Sequence, residues 1–171
     1  MSNYSDRALA IGSGTDPYSG NDPHRVGEYA RKTLGFVPEE ILPFDDSIKT
    51  LEQFYSPKPL TDEVVKEGNK FFQQYSFSHE WVWGSNGLTP ENKKILLKTA
   101  LTKGTVCVAV HAWIYDGNKE YYIMPSDATP NHWVQLVKYD RNDHPVIFDS
   151  YAETDNTPYL KILDPLYNFG L

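Results

Sequence analysis

The sequence predicts an α+β protein, with helices first and an antiparallel sheet after them. Apolar side chains recur at helical spacing up to Gly104, most clearly over residues 61–75 and 90–103. From Thr105 onward the period changes to two, in short runs rich in β-branched and aromatic residues separated by polar turns. No strand–helix–strand alternation follows, so neighbouring strands should run antiparallel. The 4 Trp, 12 Tyr and 8 Phe among 171 residues supply the apolar area for a core, at roughly 150–250 Å² each. A chain of this length fits one domain, or two small lobes sharing an interface. The expected division is a helical part over 1–80 and a sheet part over 81–171 that also carries a surface helix at 90–103, with the junction near residues 77–83.

Taken in order, Ser5-Asp6-Arg7-Ala8-Leu9-Ala10 reads like the middle of a fold. Residues 12–23 are dense in Gly, Ser, Asp and Pro and predict a structured loop. A helix should follow. Asp22 can cap it, Pro23 suits its first turn, Val26, Tyr29, Ala30 and Thr33 give it one apolar-leaning face, and Gly35 marks its end. Pro38, Pro43, Pro57 and Pro59 make 36–60 mainly irregular, with one short helix near 47–54. The helix at 61–75 has Asp62 and Glu63 at its positive end and Val64, Val65, Gly68, Phe71, Phe72 and Tyr75 at helical spacing. His79-Glu80-Trp81 reads as a strand leading into the second lobe. The next helix opens with Thr89-Pro90-Glu91, carries Ile95, Leu96, Leu97, Ala100 and Leu101 as its apolar stripe, and closes at Gly104. Strands are expected over 105–113, 120–124, 132–139 and 146–151.

Composition excludes several functions. Sixteen Lys and Arg against 23 Asp and Glu give a net charge of −7 with no basic run, so no phosphate-neutralising groove for nucleic acid is expected. No apolar run approaches the about 18 residues of a membrane span, and residues 1–15 lack the charged and apolar regions of a signal peptide. A membrane partner is therefore not expected, and the compartment stays open. A single cysteine, Cys107, rules out an intrachain disulfide. His24, His79, His111, His132 and His144 lack the spacing of a zinc site, and Gly12-Ser-Gly14 lacks the lysine and preceding strand of a phosphate loop. Neither a metal nor a cofactor is expected. His111 reads as a satisfied histidine of the sheet. Trp81, Trp83 and Trp113 read as packing between the lobes, while Trp133, beside His132, is placed to shape a cleft wall.

The segment from Asn131 to Tyr151 is the most informative. Two strands flank the polar turn Asp140-Arg141-Asn142-Asp143, so they should pair as a hairpin. Reflecting His132 about that turn lands near residues 149–151, which brings an imidazole and the Asp149 carboxylate to the open end of one hairpin. A carboxylate accepting from one ring nitrogen fixes the tautomer and leaves the other to take a nucleophile's proton or pair with a thiolate. The alternative is a structural His–Asp pair at a strand end. Cys107, His132 and Asp149 also follow the order of a catalytic triad, as in transglutaminase-like acyl transferases. Cys107, however, lies inside an alternating strand, where a small buried hydrophobe is the expected role.

These strands resemble the histidine and asparagine strands of papain-like cysteine peptidases. The resemblance is carried by Asn131-His132 before an apolar strand, the Tyr139-Asp140 turn, and Ile147-Phe148-Asp149-Ser150-Tyr151. It continues upstream in the same order through the helix and strand of residues 97–112, Tyr4-Ser5-Asp6-Arg7-Ala8-Leu9, Gly20-Asn21-Asp22-Pro23 and the stretch from Val37 to Pro43. The resemblance implies a two-lobe fold, a helical lobe packed against an antiparallel sheet or half-barrel, that hydrolyses peptide bonds through an acyl-enzyme. His132 would be the general base, and Asp149 would orient it where the family has Asn. Tyr151 would stand in for the shielding Trp. Gly20, Asn21 and Pro23 would flank the substrate backbone, and Ala109, Asn131 and Trp133 would line the cleft. No segment matches the family's glutamine and nucleophilic cysteine. The expectation is therefore a chain truncated at both ends, lacking the nucleophile segment and a last strand, and inactive as written. Its expected partner is a peptide or protein substrate, with self-association through exposed apolar surface. A non-catalytic peptide-binding module of the same fold is the alternative.

Overall fold

The computed structural model describes residues 3–84, 87–111, 113–126, 129–149 and 158–170. It is mixed α+β and divides into two compact units, Met1–Glu80 and Trp81–Leu171. Tyr151 lies outside the described residues.

The first unit is helical. Helix α1 (Asp6–Ser13) is capped by Ser5, whose Oγ accepts from the Ala8 amide and donates to the Leu42 carbonyl. Periodicity does not delineate this helix, because eight residues give too short a window and Arg7 interrupts its apolar side. Arg7 is in fact buried, and it donates to the carbonyls of Pro43, Gln53, Phe54 and Ser56. One guanidinium thereby organises the irregular, proline-rich backbone that follows. Helix α2 (Pro23–Tyr29) starts as expected, capped by Asp22 with proline in its first turn. It then widens into a π turn, Ala30–Leu34, before ending at Gly35 with φ 75°. The predicted helix is therefore continuous in sequence but changes its hydrogen-bond period.

A short 3₁₀ turn, Glu39–Ile41, and helix α3 (Leu51–Phe54), closed by a Thr50/Gln53 capping box, lead to α4 (Asp62–Gln74). On α4 only Val64 and Gly68 are buried, while Phe72 and Tyr75 of the predicted apolar face are exposed. Gly68 lets the helix approach the π turn: a Cβ there would lie 2.9 Å from a Leu34 methyl. Ala8, Ile11, Leu34, Val37, Leu42 and Val64 form the core of this unit. His79 and its neighbours are not a strand. Residues 75–80 adopt neither helix nor strand, and the His79 ring instead packs on His24, with ring centroids 4.7 Å apart, and over Gly27.

The second unit holds α5 (Pro90–Leu101), capped by Thr89, and the strands β1 (Val106–Val110), β2 (Ile114–Asp116), β3 (Tyr121–Ile123), β4 (His132–Tyr139), β5 (Pro145–Phe148) and β6 (Leu160–Ile162). Four strands make an antiparallel sheet in the order β1-β4-β5-β6, and β2 pairs with β3. The strand expected over 105–113 thus stops at Val110, where its register with β4 runs out opposite His132. Strand β2 begins at Ile114. Between Leu136 and Lys138 the β4–β5 register shifts by one residue, leaving Val137 as a bulge.

Val106, Val108, Val110, Val134, Leu136, Ile147 and Leu163 build the core with Leu97 of α5, and Trp83 and Trp113 pack against it. Leu97 alone is fully buried on α5, and Ile95 is 62% exposed. Positions two apart on a helix point to different sides, so the buried stripe is narrower than the run of apolar residues. Asp143, in the β4–β5 turn, pairs with Lys94 at 3.2 Å and Lys98 at 2.5 Å and ties the hairpin to α5. Among the described residues no helix is long and apolar enough to cross a membrane.

Candidate functional site

Alternation along the sheet decides which side chains can meet. Val134 and Leu136 on β4 and Ile147 on β5 face the core, and His132 and Asp149 occupy the same face two residues further along their strands. His132 Nε2 lies 3.0 Å from Asp149 Oδ1. The imidazole is 25% exposed, whereas the carboxylate side chain is 5% exposed. The Asp149 backbone is held as well, since its amide donates to the Tyr159 carbonyl at 2.8 Å.

The other carboxylate oxygen carries a partner that hairpin symmetry does not reveal. Lys161 Nζ donates to Asp149 Oδ2 at 2.7 Å and to the Pro158 carbonyl at 3.1 Å, and it sits 5.1 Å from the centre of the Trp113 ring. Lys161 is 1% exposed. A buried ammonium is tolerated when its donors and its charge are met, here by a carboxylate, a carbonyl and an aromatic face. Trp113 also stands against the imidazole, with ring centroids 5.9 Å apart at 65°, and packs edge-on against Tyr122. Burial, then Tyr115 and Asp149, push the Tyr122 phenol above its ordinary pKa.

The result is a graded polar line, from a partly exposed imidazole through a buried carboxylate to a buried ammonium. It can hold one imidazole tautomer, with Nε2 directed at Asp149. No family model, curated protein or solved structure matches the chain. Functional argument therefore rests on this geometry and on the residue pattern.

The other candidate residues are placed as follows. Asn131 is exposed and its amide donates to the Val110 carbonyl. Trp133 pairs with Ala109 on the sheet face opposite His132. Ala109 is 1% exposed and bridges to Gly170. Gly20, Asn21 and Pro23 belong to the first unit. Gly20 has φ 78° and open space where a Cβ would stand. The Asn21 amide donates to Ser13 Oγ and Thr15 Oγ1, both at 3.0 Å, so its side chain fastens the loop to the end of α1. Pro23 opens α2.

Two expectations need correction. Cys107 is exposed, not a buried hydrophobe, because Val106, Val108 and Val110 take the core face of β1. Although exposed, its thiol is desolvated enough by the surrounding sheet to be pushed above the ordinary thiol pKa. Cys107 stands opposite Gln135, three residues from His132, so sulfur and imidazole project from opposite faces. His111 lies past the end of β1, 7% exposed, and its Nδ1 has no hydrogen-bond partner among the described residues. Among the described residues that nitrogen is left unsatisfied, unlike the satisfied sheet histidine expected. Among the described residues no group of three or more His, Cys, Asp or Glu side chains is disposed to hold a metal.

Lys161, the buried partner of Asp149, is the residue of this site that the sequence does not reveal. In Leu160-Lys161-Ile162-Leu163 a lone charge interrupts an apolar run, and the usual reading turns Lys outward and Leu160 and Ile162 inward. The strand does the reverse, leaving those two exposed. The useful signal was a single lysine within a short apolar strand, near in sequence to a buried acid.

Proposed function

We propose that this chain carries the histidine and acidic partner of a papain-like cysteine peptidase, in a papain-like two-lobe fold, with His132 as general base and ion-pair partner of a thiolate and Asp149 as its orienting residue. The observation that carries the reading is the 3.0 Å contact between His132 Nε2 and the buried Asp149 carboxylate. A carboxylate behind a partly exposed imidazole is what base catalysis by histidine requires. Asn131, exposed beside His132, would contribute to the cleft wall, whereas Ala109 and Trp133 lie on the other face of the sheet.

The nucleophile would come from a cysteine outside this sequence, since Cys107 points away from His132. The test is hydrolysis of fluorogenic peptides by the product of the longer reading frame. Activity that needs an upstream cysteine, and that falls by about 10³-fold or more in His132→Ala, supports the reading. A longer frame without such a cysteine, or with hydrolysis indifferent to His132, overturns it. The lack of any thiol on the His132 face among the described residues favours a second reading, a peptide-binding module without catalysis. In that case unstructured peptides would shift the His132 and Asn131 NMR signals of this chain while none is cleaved.

A further inference from the structure

We propose that Lys161 is a positioning residue that partly offsets the charge of Asp149, so that His132 is oriented by a carboxylate whose pull on the imidazolium is weakened. The inference rests on the reading of His132 as a base and deepens it. An uncompensated, buried carboxylate 3.0 Å from an imidazole favours the imidazolium strongly. Such a histidine would hold its proton whether or not a thiolate stood beside it, and would be slow to give it up. Asp149 has two oxygens, and the structure divides them: Oδ1 goes to His132 and Oδ2 to Lys161 at 2.7 Å. With Lys161 1% exposed and Asp149 4% exposed, neither charge is screened by bulk water, so each acts on the other at close to full strength.

Among the described residues, the groups set around the His132–Asp149 pair come from several elements. Asp149 approaches from the end of β5, Lys161 from β6 and Tyr122 from β3, and Trp113 presents a ring. On β1 the residue opposite is the apolar Val110. Lys161 is thus the cation set against the acid. A solvent-facing lysine would give the same formal balance but little of the effect, because water would screen it. Burial of Lys161 on the inward face of β6, while Leu160 and Ile162 are left outside, is the feature this role explains.

The test is an imidazole-nitrogen NMR titration of His132 in the intact chain. Lys161→Met should raise the His132 midpoint by about one pH unit or more, and Asp149→Asn should lower it. The double variant, Lys161→Met with Asp149→Asn, removes both charges and should place the midpoint above that of Asp149→Asn and below that of the wild type, because the carboxylate stands nearer the imidazole than the ammonium does. Lys161→Arg should keep the wild-type midpoint. A midpoint that stays put or falls in Lys161→Met, or a double variant that does not rise above Asp149→Asn, overturns the proposal. If Lys161→Met alone fails to fold, the comparison of Asp149→Asn with the charge-free double variant still decides. The second must lie above the first. Peptide hydrolysis plays no part in this readout. Loss of the peptidase reading would leave the titration result standing, and an unmoved midpoint alongside His132-dependent hydrolysis would remove only Lys161.

Discussion

Cys107 illustrates how much a single residue's surroundings decide. It is accessible, yet no cation or helix end stands by to stabilise a thiolate among the described residues, and desolvation pushes its pKa above the ordinary value. Alkylation by iodoacetamide should therefore be slow at neutral pH and accelerate only in alkaline solution, followed by mass spectrometry. Fast labelling at about pH 6 would mean a thiolate that the sheet gives no reason to expect. At this scale the sequence was informative where residue type and turn symmetry combined. His132 and Asp149 could be paired because a polar turn lies midway between two apolar strands. Arg7 could not be placed, because its partners are carbonyls more than thirty residues away, and Lys161 offered only the weak cue of a lone charge in an apolar strand, its carboxylate lying just past the end of β5.

Among the elements, the segment that joins α4 to the end of the first unit carries a pH dependence. His79 packs on His24 and over Gly27, and its pKa is lowered chiefly by burial and then by His24, with Glu28 pulling the other way. A histidine with a depressed folded pKa resists protonation in the native state more than in the unfolded chain. Its contribution is present above the unfolded value of about 6.5 and is lost as pH falls through the folded value. Urea melts of the wild type and His79→Gln should therefore converge as pH drops below about 6.5, the wild type losing more of its stability. Parallel curves would mean that His79 remains neutral or is released before it titrates. Helix starts were legible because their signals are local. Asp22, Thr50, Thr61 and Thr89 each accept from an amide in the turn they cap. The π turn at Ala30–Leu34 was not, since it answers to the close approach of Gly68 rather than to any nearby residue.

At the scale of the whole molecule, each unit has its own apolar cluster, and a cavity should weaken the cluster that holds it. Ile147 is fully buried in the second. Ile147→Ala should cost about 2–4 kcal/mol. Hydrogen exchange should show the loss in the amides of β1, β4 and β5. An equal loss of protection in α1 and α4 would mean that one cooperative transition spans the chain. The α+β class was readable at this scale because the change of period from helical to alternating is a property of long stretches, which local exceptions do not erase. The break between β1 and β2 was not readable, because Val110 and Ile114 belong to one β-branched and aromatic run, and only the neighbour each strand adopts separates them.

The bulge at Val137 makes the hairpin intolerant of a change in length. On the turn side of it Tyr139 stands opposite Pro145, and on the far side Gln135 stands opposite Phe148, one step out of phase. That extra step keeps Leu136 and Ile147 on a common side, and with them His132 and Asp149. Excising Val137 while the turn kept its grip would rotate the incoming half of β4 by half a period. The imidazole would then look away from the acid, and the chain would retain every reactive group while losing their acquaintance.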